Sequence, residues 1–164
     1  MKLFIKEKVI SLHNRYFIYN EAGEQVYELV SQYLSFGDKT QLLDMNGNEL
    51  VYVEQELFHL KPLYKVFIGG NQVATVKRTN FIGAPKYEVP ELSYNVQGNL
   101  LSTEFNITDA GGNLIANASR KLISIGDKYQ LEILDENNLL YILGVLITII
   151  NVIDNAQEAA SSSN

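Results

Sequence analysis

Apolar and polar residues alternate in short stretches along most of the chain. In residues 104–108 the apolar Phe105 and Ile107 fall on one face, and in residues 129–133 Gln130 and Glu132 fall opposite the apolar positions. A period of two is typical of half-buried β-strands. We predict about a dozen strands, over residues 3–10, 16–19, 26–30, 41–44, 50–54, 63–68, 73–78, 86–89, 92–96, 104–108, 114–122 and 129–133.

A turn of one form recurs between these stretches. It begins with Asn or Asp, has Gly three positions later, and continues with Asn or Glu. Four copies centre on Gly23, Gly47, Gly98 and Gly112, with a truncated fifth at Gly70. Asn and Asp cap their own backbone and Gly supplies a positive φ, so each copy predicts strand, turn, strand. Connections this short favour an antiparallel meander.

Tyrosines recur near the starts of predicted strands. Tyr64, Tyr87 and Tyr129 each stand in a Tyr-x-aliphatic pattern, 23 and then 42 positions apart. These spacings are close to one and two units of about 22 residues, which suggests a duplicated β architecture. The alternative is plain β-propensity, because Tyr and Val favour strands in any case.

Residues 139–153 are apolar on almost every side and show no alternation. A helix of this kind has to be surrounded, either by lipid or by the protein's own core. Lipid fits poorly, because 15 residues span only about 22 Å against roughly 30 Å of hydrocarbon. No Lys or Arg flanks the segment either. We therefore predict no transmembrane span and a helix inside a barrel, since about a dozen strands leave room for one.

The fold class that follows is mainly β: a closed antiparallel barrel of about 12 strands around one buried apolar C-terminal helix. The length of 164 residues, with 46% apolar and 20% charged residues, suits one globular domain. We assign that domain to residues 1–156. We expect residues 157–164, which end in three Ser and an Asn, to be a disordered polar tail.

Composition limits the chemistry, the location and the partners that we expect of the protein. The absence of cysteine excludes disulfides and thiolate chemistry. Charge interrupts the first eight residues, so they do not supply the apolar core of a signal peptide, and we expect a cytoplasmic location. The net charge of −6 argues against nucleic acid as a partner, because such binding needs a basic face.

One basic segment interrupts this acidic chain. Residues 61–90 carry five basic side chains and a single acidic one, Glu88. We take Lys65, Lys77, Arg78 and Lys86 as candidate ligand-binding residues, because a positive patch on an acidic protein concentrates phosphate head groups. Strand alternation puts Lys77 and Arg78 on opposite faces, so at most one of them shares an outer surface with Lys65 and Lys86, unless a bulge re-aims the other. The alternative is a set of scattered, solvated cations that balance nearby acids.

Signatures of catalysis are missing from the sequence. His13 and His59 lie far apart without a carboxylate spacing typical of a metal site, and the loop from Asp44 lacks the Gly that a calcium loop needs at its sixth position. The paired glycines form no phosphate-binding loop, and no nucleophile elbow occurs. We predict no catalytic residues, no metal and no cofactor.

Several short motifs follow one another along the chain. They are Ile5-Lys6-Glu7-Lys8-Val9, Phe17-Ile18, Gly23, Val26-Tyr27, Pro85-Lys86-Tyr87-Glu88-Val89, the turn from Asp109 to Gly112, and an apolar helix ending in Ile153-Asp154. By their order and spacing, these motifs resemble bacterial members of the LURP-one-related family. The resemblance implies a fold similar to the Tubby C-terminal domain and to phospholipid scramblases, which is a barrel of about twelve strands around a hydrophobic helix. Tubby domains bind phosphoinositide head groups through basic residues, but no motif carries those positions over to this chain.

The leading hypothesis for function is a non-catalytic binding or scaffold module that recognises an anionic lipid or another phosphate-bearing ligand, peripheral to a membrane. Two alternatives from other classes stay open. One is a purely structural or protein-interaction domain, and the other is an enzyme whose site is assembled from scattered polar residues.

Overall fold

The structure, a computed structural model, describes residues 1–8, 15–32, 37–99, 103–120 and 127–162. Within these ranges the backbone forms twelve strands and one α-helix, with single 3-10 turns at Pro90–Leu92 and Glu136–Asn138. The elements are β1 (Lys2–Lys8), β2 (Arg15–Tyr19), β3 (Gln25–Gln32), β4 (Lys39–Leu43), β5 (Glu49–Glu56), β6 (Leu63–Ile68), β7 (Asn71–Arg78), β8 (Lys86–Val89), β9 (Tyr94–Gly98), β10 (Glu104–Thr108), β11 (Leu114–Ser119), β12 (Asp127–Ile133) and α1 (Leu139–Ser162).

The strands form a closed barrel in which each pairs antiparallel with its neighbours along the chain. The first and last strands complete the ring, with Leu3 opposite Leu131 and Ile5 opposite Tyr129. The amino group of Met1 adds to this closure, because it donates to the carbonyl oxygen of Ile133 at 2.9 Å. The predicted closed antiparallel barrel around a C-terminal helix is confirmed.

Tight turns of the predicted kind gather at one end of the barrel, which we call the tight-turn end. In the turn after β4, Asp44 Oδ1 accepts the backbone N–H groups of Asn46 and Asn48, each at 2.8 Å. Asp109 does the same for the turn after β10. The turns after β2 and β6 lie at this end as well. Asx capping with a positive-φ glycine therefore sets three of the five connections at this end, those after β2, β4 and β10.

Two strands, β9 and β10, do flank this segment as predicted, but the role predicted for Gly98 is wrong. Gly98 is the last residue of β9, and the connection to β10 follows it at the opposite end of the barrel. A Cβ on Gly98 would stand 2.5 Å from Cε1 of Phe105, its partner on β10, and 2.8 Å from Cγ of Pro85. This glycine is required by a ring packed over the backbone, and it does not have a positive φ.

At the opposite end, which we call the helix-exit end, the even-numbered strands each start with an inward-facing residue in the first three positions. These residues, all buried, are Tyr16, Thr40, Tyr64, Tyr87, Phe105 and Tyr129. Three of them, Tyr16, Thr40 and Tyr129, bind α1 directly, at Asn151 and Asp154. The tyrosine spacing in the sequence thus corresponds to one hairpin, that is, to two strands. Phe105 takes the equivalent position in the hairpin between those of Tyr87 and Tyr129.

The helix α1 is the centre of the core. Every residue from 142 to 150 is buried, and the Thr148 hydroxyl donates to the Gly144 carbonyl oxygen at 3.0 Å. The segment Glu136–Asn155 is long and apolar enough to cross a membrane by length and composition alone, with a mean hydropathy of 1.6, but the core helix of a soluble fold meets the same criterion. Here the barrel encloses the helix, as the sequence predicts.

The helix is longer than its apolar run. Its backbone continues to Ser162, through most of the residues expected to form a disordered tail, while residues 163–164 lie outside the described ranges. The sequence from Gln157 to Ala160 consists of good helix formers, which explains the extension. The backbone is therefore helical as far as Ser162, within the segment for which the sequence predicts a disordered tail.

Gly144 is a point of close approach between α1 and the barrel wall. A Cβ at this position would stand 2.5 Å from Cγ1 of Val66 and 3.3 Å from Cγ1 of Val51. We expect Gly144→Ala to lower the free energy of unfolding by about 1–3 kcal/mol through overpacking, although Ala is the better helix former by about 1 kcal/mol. Val66→Ala removes the blocking methyl group, so the double variant should recover part of the loss. Urea denaturation of the four proteins measures this coupling, and additive effects would contradict it.

The carboxylates of the two Asx turns titrate abnormally. Hydrogen bonds from Asn48 hold the pKa of Asp44 below 3.8, and those from Asn113 do the same for Asp109. A folded pKa below the unfolded one gives stability that is present above about pH 4 and is lost as the pH falls through the folded value. We expect NMR titration of the carboxyl carbons to show both depressions, and Asn48→Ala to raise the pKa of Asp44 while that of Asp109 stays unchanged. Equal shifts at both sites would rule out the local cause.

Candidate functional site

A buried polar cluster fastens α1 to the barrel at the helix-exit end. Asp154 accepts hydrogen bonds from the hydroxyls of Tyr16 at 3.0 Å and Tyr129 at 2.9 Å. The Lys128 ammonium lies 2.9 Å from the same carboxylate and 4.7 Å from the centre of the Tyr16 ring. Both charged side chains are largely covered, at 16% exposure for Lys128 and 9% for Asp154. The cluster therefore links the end of the helix to β2 and β12.

A second set of polar contacts holds the other side of the helix. Asn155 donates to Asp38, which also accepts the Tyr64 hydroxyl at 3.3 Å. Burial, reinforced by the Asp38 carboxylate, raises the pKa of Tyr64 well above its usual value. Asn151 binds Thr40 at 3.0 Å, and the cavity beside these groups measures about 10 Å³. That space suits one water molecule and no larger ligand.

The four predicted ligand-binding residues do not form one patch. Lys65 is half-buried and pairs with Glu56, with 2.9 Å between Nζ and Oε2. Lys77 faces outward, between Leu63 on β6 and Glu88 on β8 in the strand register. Arg78 is on the inward register with Tyr87 opposite, and Lys86 is exposed at the start of β8. In the strand register Lys77 and Arg78 thus point to opposite faces of β7.

Two loops at the helix-exit end do bring part of this set together. The β5–β6 loop, residues 57–62, and the β7–β8 loop, residues 79–85, enclose with the end of β7 a cleft of about 460 Å³. We call it the loop cleft. It is lined by Phe58, His59, Leu60, Lys61, Pro62, Leu63, Lys77, Arg78 and Phe81. Lys77 and Arg78 therefore share a site with Lys61, while Lys65 and Lys86 lie outside the lining.

Lys61 joins the two loops. Its ammonium donates to the Thr79 carbonyl oxygen at 2.7 Å and lies 4.4 Å from the centre of the Phe81 ring. A hydrogen bond from the Arg78 N–H to the Pro62 carbonyl oxygen, at 3.3 Å, extends the β6–β7 pairing up to the cleft. These contacts place the cleft at the rim of the barrel and hold its two loops together.

Arg78 is the unusual residue of the cleft. Its Nε is buried and, among the described residues, has no hydrogen-bond partner. Burial raises the pKa of the neighbouring Tyr87 hydroxyl, and the Arg78 charge partly offsets that rise. Buried side-chain N–H groups are nearly always hydrogen-bonded in proteins, so this donor is the exceptional polar atom of the cleft.

Sequence reasoning missed the apolar part of the cleft. Phe58, Leu60, Phe81 and Ile82 are large, exposed and placed on its two loops. The available signal was their position, because they stand between predicted strands where polar turn residues are usual. The sequence pattern predicts these segments only as connections between strands.

A groove of about 470 Å³ also runs across the outer faces of β9 and β10. It is lined by the polar residues Asn95, Gln97, Asn99, Glu104, Asn106 and Thr108, together with Gly98. Asn117 bridges Glu104 and Asn106, at 3.1 and 2.7 Å, which satisfies part of this surface. Within the ranges that the structure describes, no three His, Cys, Asp or Glu side chains are grouped to hold a metal ion.

The closed barrel around a helix defines the class of protein, and comparisons with known proteins agree. The X-ray structure of a protein from Arabidopsis thaliana superposes with a TM-score of 0.64 over 93% of this chain and 91% of that one; at 17% identity it shows a shared fold. The chain belongs to the LURP-one-related family, whose model matches residues 1–150. It is also 32% identical over 158 residues to the uncharacterized protein YxjI of Bacillus subtilis (strain 168), which covers 96% of this chain and 97% of that protein. The family resemblance found in the sequence is confirmed.

We expect substitutions in the Asp154 cluster to lower the free energy of unfolding by different amounts. Asp154→Ala removes the acceptor shared by three donors and leaves the Lys128 charge largely buried, so we expect a loss of about 3–5 kcal/mol. Lys128→Met leaves Asp154 with both tyrosine hydroxyls and should cost clearly less. Thermal and urea denaturation of both variants, with the exposed Lys2→Met as control, measure the order. A larger loss for Lys128→Met would contradict this account.

Proposed function

We propose that this protein is a non-catalytic module that binds an anionic, phosphate-bearing ligand in the loop cleft. The observation that carries the proposal is Arg78, which lines the cleft with a buried and unpartnered Nε. A buried donor left without an acceptor costs about 1–3 kcal/mol. Phosphate oxygens match the planar fork of a guanidinium and would satisfy it.

The other cations of the cleft support this choice. Lys61 and Lys77 line the same space, and among the described residues no carboxylate lies within ion-pair distance of Lys77, Arg78 or Lys86. The protein as a whole is acidic, at a net charge of −6. A local positive field on such a protein attracts an anion to this end and repels it elsewhere.

The composition of the cleft favours binding over chemistry. Its described lining holds no carboxylate and no hydroxyl side chain, so a nucleophile with a partner base is missing from it. His59 lies 3.6 Å from Glu56 at the rim, where both side chains are exposed to solvent. We place the module in the cytoplasm, an assignment that the absence of cysteine supports.

The test follows the arginine side chains by NMR. The chain has three arginines, Arg15, Arg78 and Arg120. We expect titration with inorganic phosphate to shift the Nε–Hε signal of Arg78, because the oxygen replaces a missing acceptor. The Arg15 signal should hardly move, since its guanidinium pairs with Glu28 at 3.1 Å on the far side of the barrel.

Affinity is measured separately by co-sedimentation with vesicles of phosphatidylcholine, with and without phosphatidylglycerol. We expect preference for the anionic vesicles, loss of binding as salt rises, and a roughly tenfold weaker Kd for Arg78→Gln, the equivalent of about 1.4 kcal/mol. Arg15→Gln changes the net charge equally and should bind as the unmodified protein does. A protein that responds neither to phosphate nor to anionic vesicles would contradict the proposed function.

A further inference from the structure

We infer that the phosphate is carried by a membrane lipid, and that the β5–β6 and β7–β8 loops dip their apolar tips into the bilayer surface. This inference rests on the proposed function, because it uses the same cleft, and it adds the source of the ligand and the orientation of the protein. What distinguishes it is the combination, at one end of the barrel, of projecting apolar side chains with cations directly behind them.

The apolar tips are far more exposed than packing or chance requires. Phe58, Leu60 and Ile82 are each 91% exposed or more, and Phe81 is 65% exposed. Half of the large exposed hydrophobic side chains of the described residues lie on these two loops, and the others are Met1, Met45, Leu114 and Leu134. Clustered apolar exposure of this kind marks an interaction surface, whereas single exposed residues need no explanation.

The β7–β8 loop is built to present its tip. The Asn80 side chain donates to the carbonyl oxygens of Ile82 and Ala84, each at 2.8 Å, and accepts the Lys86 N–H at 3.0 Å. These bonds satisfy the loop backbone from within. Phe81 and Ile82 thus point outward from an ordered turn, so little ordering entropy opposes their insertion.

The β5–β6 loop presents its tip through an unusual backbone. Phe58 has a φ of 72°, a conformation that bulky residues rarely adopt. The residue before it, Leu57, is half-buried beside Gly37, while Phe58 is fully exposed. The turn therefore directs an aromatic ring to solvent against its local preference, which is a feature associated with functional loops.

The charges at the two ends of the barrel favour an orientation in which the helix-exit end faces an anionic surface. Lys61, Lys77 and Arg78 stand behind the tips in the cleft, and Lys86 follows on the outer face. The tight-turn end, in contrast, carries acidic side chains on its connections, including Glu21, Glu24, Asp44, Asp109 and Glu136. An anionic membrane would attract the first end and repel the second, which fixes one orientation.

A bilayer fits these tips better than a protein partner does. Phe58 and Leu60 on one loop and Phe81 and Ile82 on the other form an exposed apolar surface, which a fluid interface accommodates without a matching pocket. Aromatic and aliphatic residues with cations at the next level are the usual pattern of interfacial membrane binding. A protein partner remains an outcome that the experiment can reveal.

Tryptophan fluorescence measures directly whether a loop tip enters the bilayer. The chain has no tryptophan, so Phe58→Trp places one fluorophore at a tip, and Met45→Trp places one at the tight-turn end as the matched control. With vesicles of phosphatidylcholine and phosphatidylglycerol, we expect a blue shift for Phe58→Trp and quenching by brominated acyl chains, while Met45→Trp shows neither. Ile82→Trp should repeat the first result from the second loop.

A second pair of variants separates insertion from phosphate recognition. Phe58→Ser with Leu60→Ser should weaken vesicle binding by about tenfold or more, while the Arg78 response to inorganic phosphate persists; Met45→Ser should change neither. Vesicle binding without quenching would overturn insertion and leave the proposed function standing. A response to phosphate without vesicle binding would overturn the membrane source in favour of a soluble ligand. Failure of both arms would overturn both proposals and leave the exposed tips to a protein partner.

Discussion

The structure depends on the enclosure of one helix that is apolar on every side. In water such a segment is stable only if other residues remove its whole circumference from solvent. A flat sheet covers one face of a helix, whereas a closed barrel covers all of them. Twelve strands give an interior of the required width, and the complete burial of residues 142–150 shows that the wall surrounds the helix over this stretch.

The same constraint explains where the polar interior groups lie. The helix has to be positioned along the barrel axis as well as covered, and apolar contacts alone do this weakly because they are not directional. Asp154 and Asn155 supply direction at the helix-exit end, through hydrogen bonds to Tyr16, Tyr129 and Asp38. Three of the tyrosines near the starts of alternate strands, Tyr16, Tyr64 and Tyr129, therefore help to hold the helix, and the spacing of the set reflects the hairpin unit.

Much of this fold is encoded locally, and sequence reasoning captures that part. Period-two alternation locates the strands, and capping by Asp44 and Asp109 identifies turns because both signals act within a few residues. Gly98 was misread because its reason is the ring of Phe105 on another strand, and a glycine under a ring looks in sequence like a glycine in a turn. The loop cleft could not be predicted from the sequence for a similar reason. Lys61 and Phe81 meet only because β6 and β7 place their loops side by side, and no local pattern reports that contact.

The closure of the barrel by β1 and β12 has a consequence for how the protein is made. Leu3 finds its partner in Leu131, and the helix that fills the interior follows later still. A chain growing from its amino terminus thus produces a curved sheet with two open edges and an uncovered apolar face before it can make the closing pairs. Folds dominated by such distant pairs form slowly, and their unfinished states expose surfaces that associate with other chains. We therefore expect this protein to be most prone to association with other chains during its synthesis, after all the strands have been made and before the C-terminal helix that fills the barrel is available.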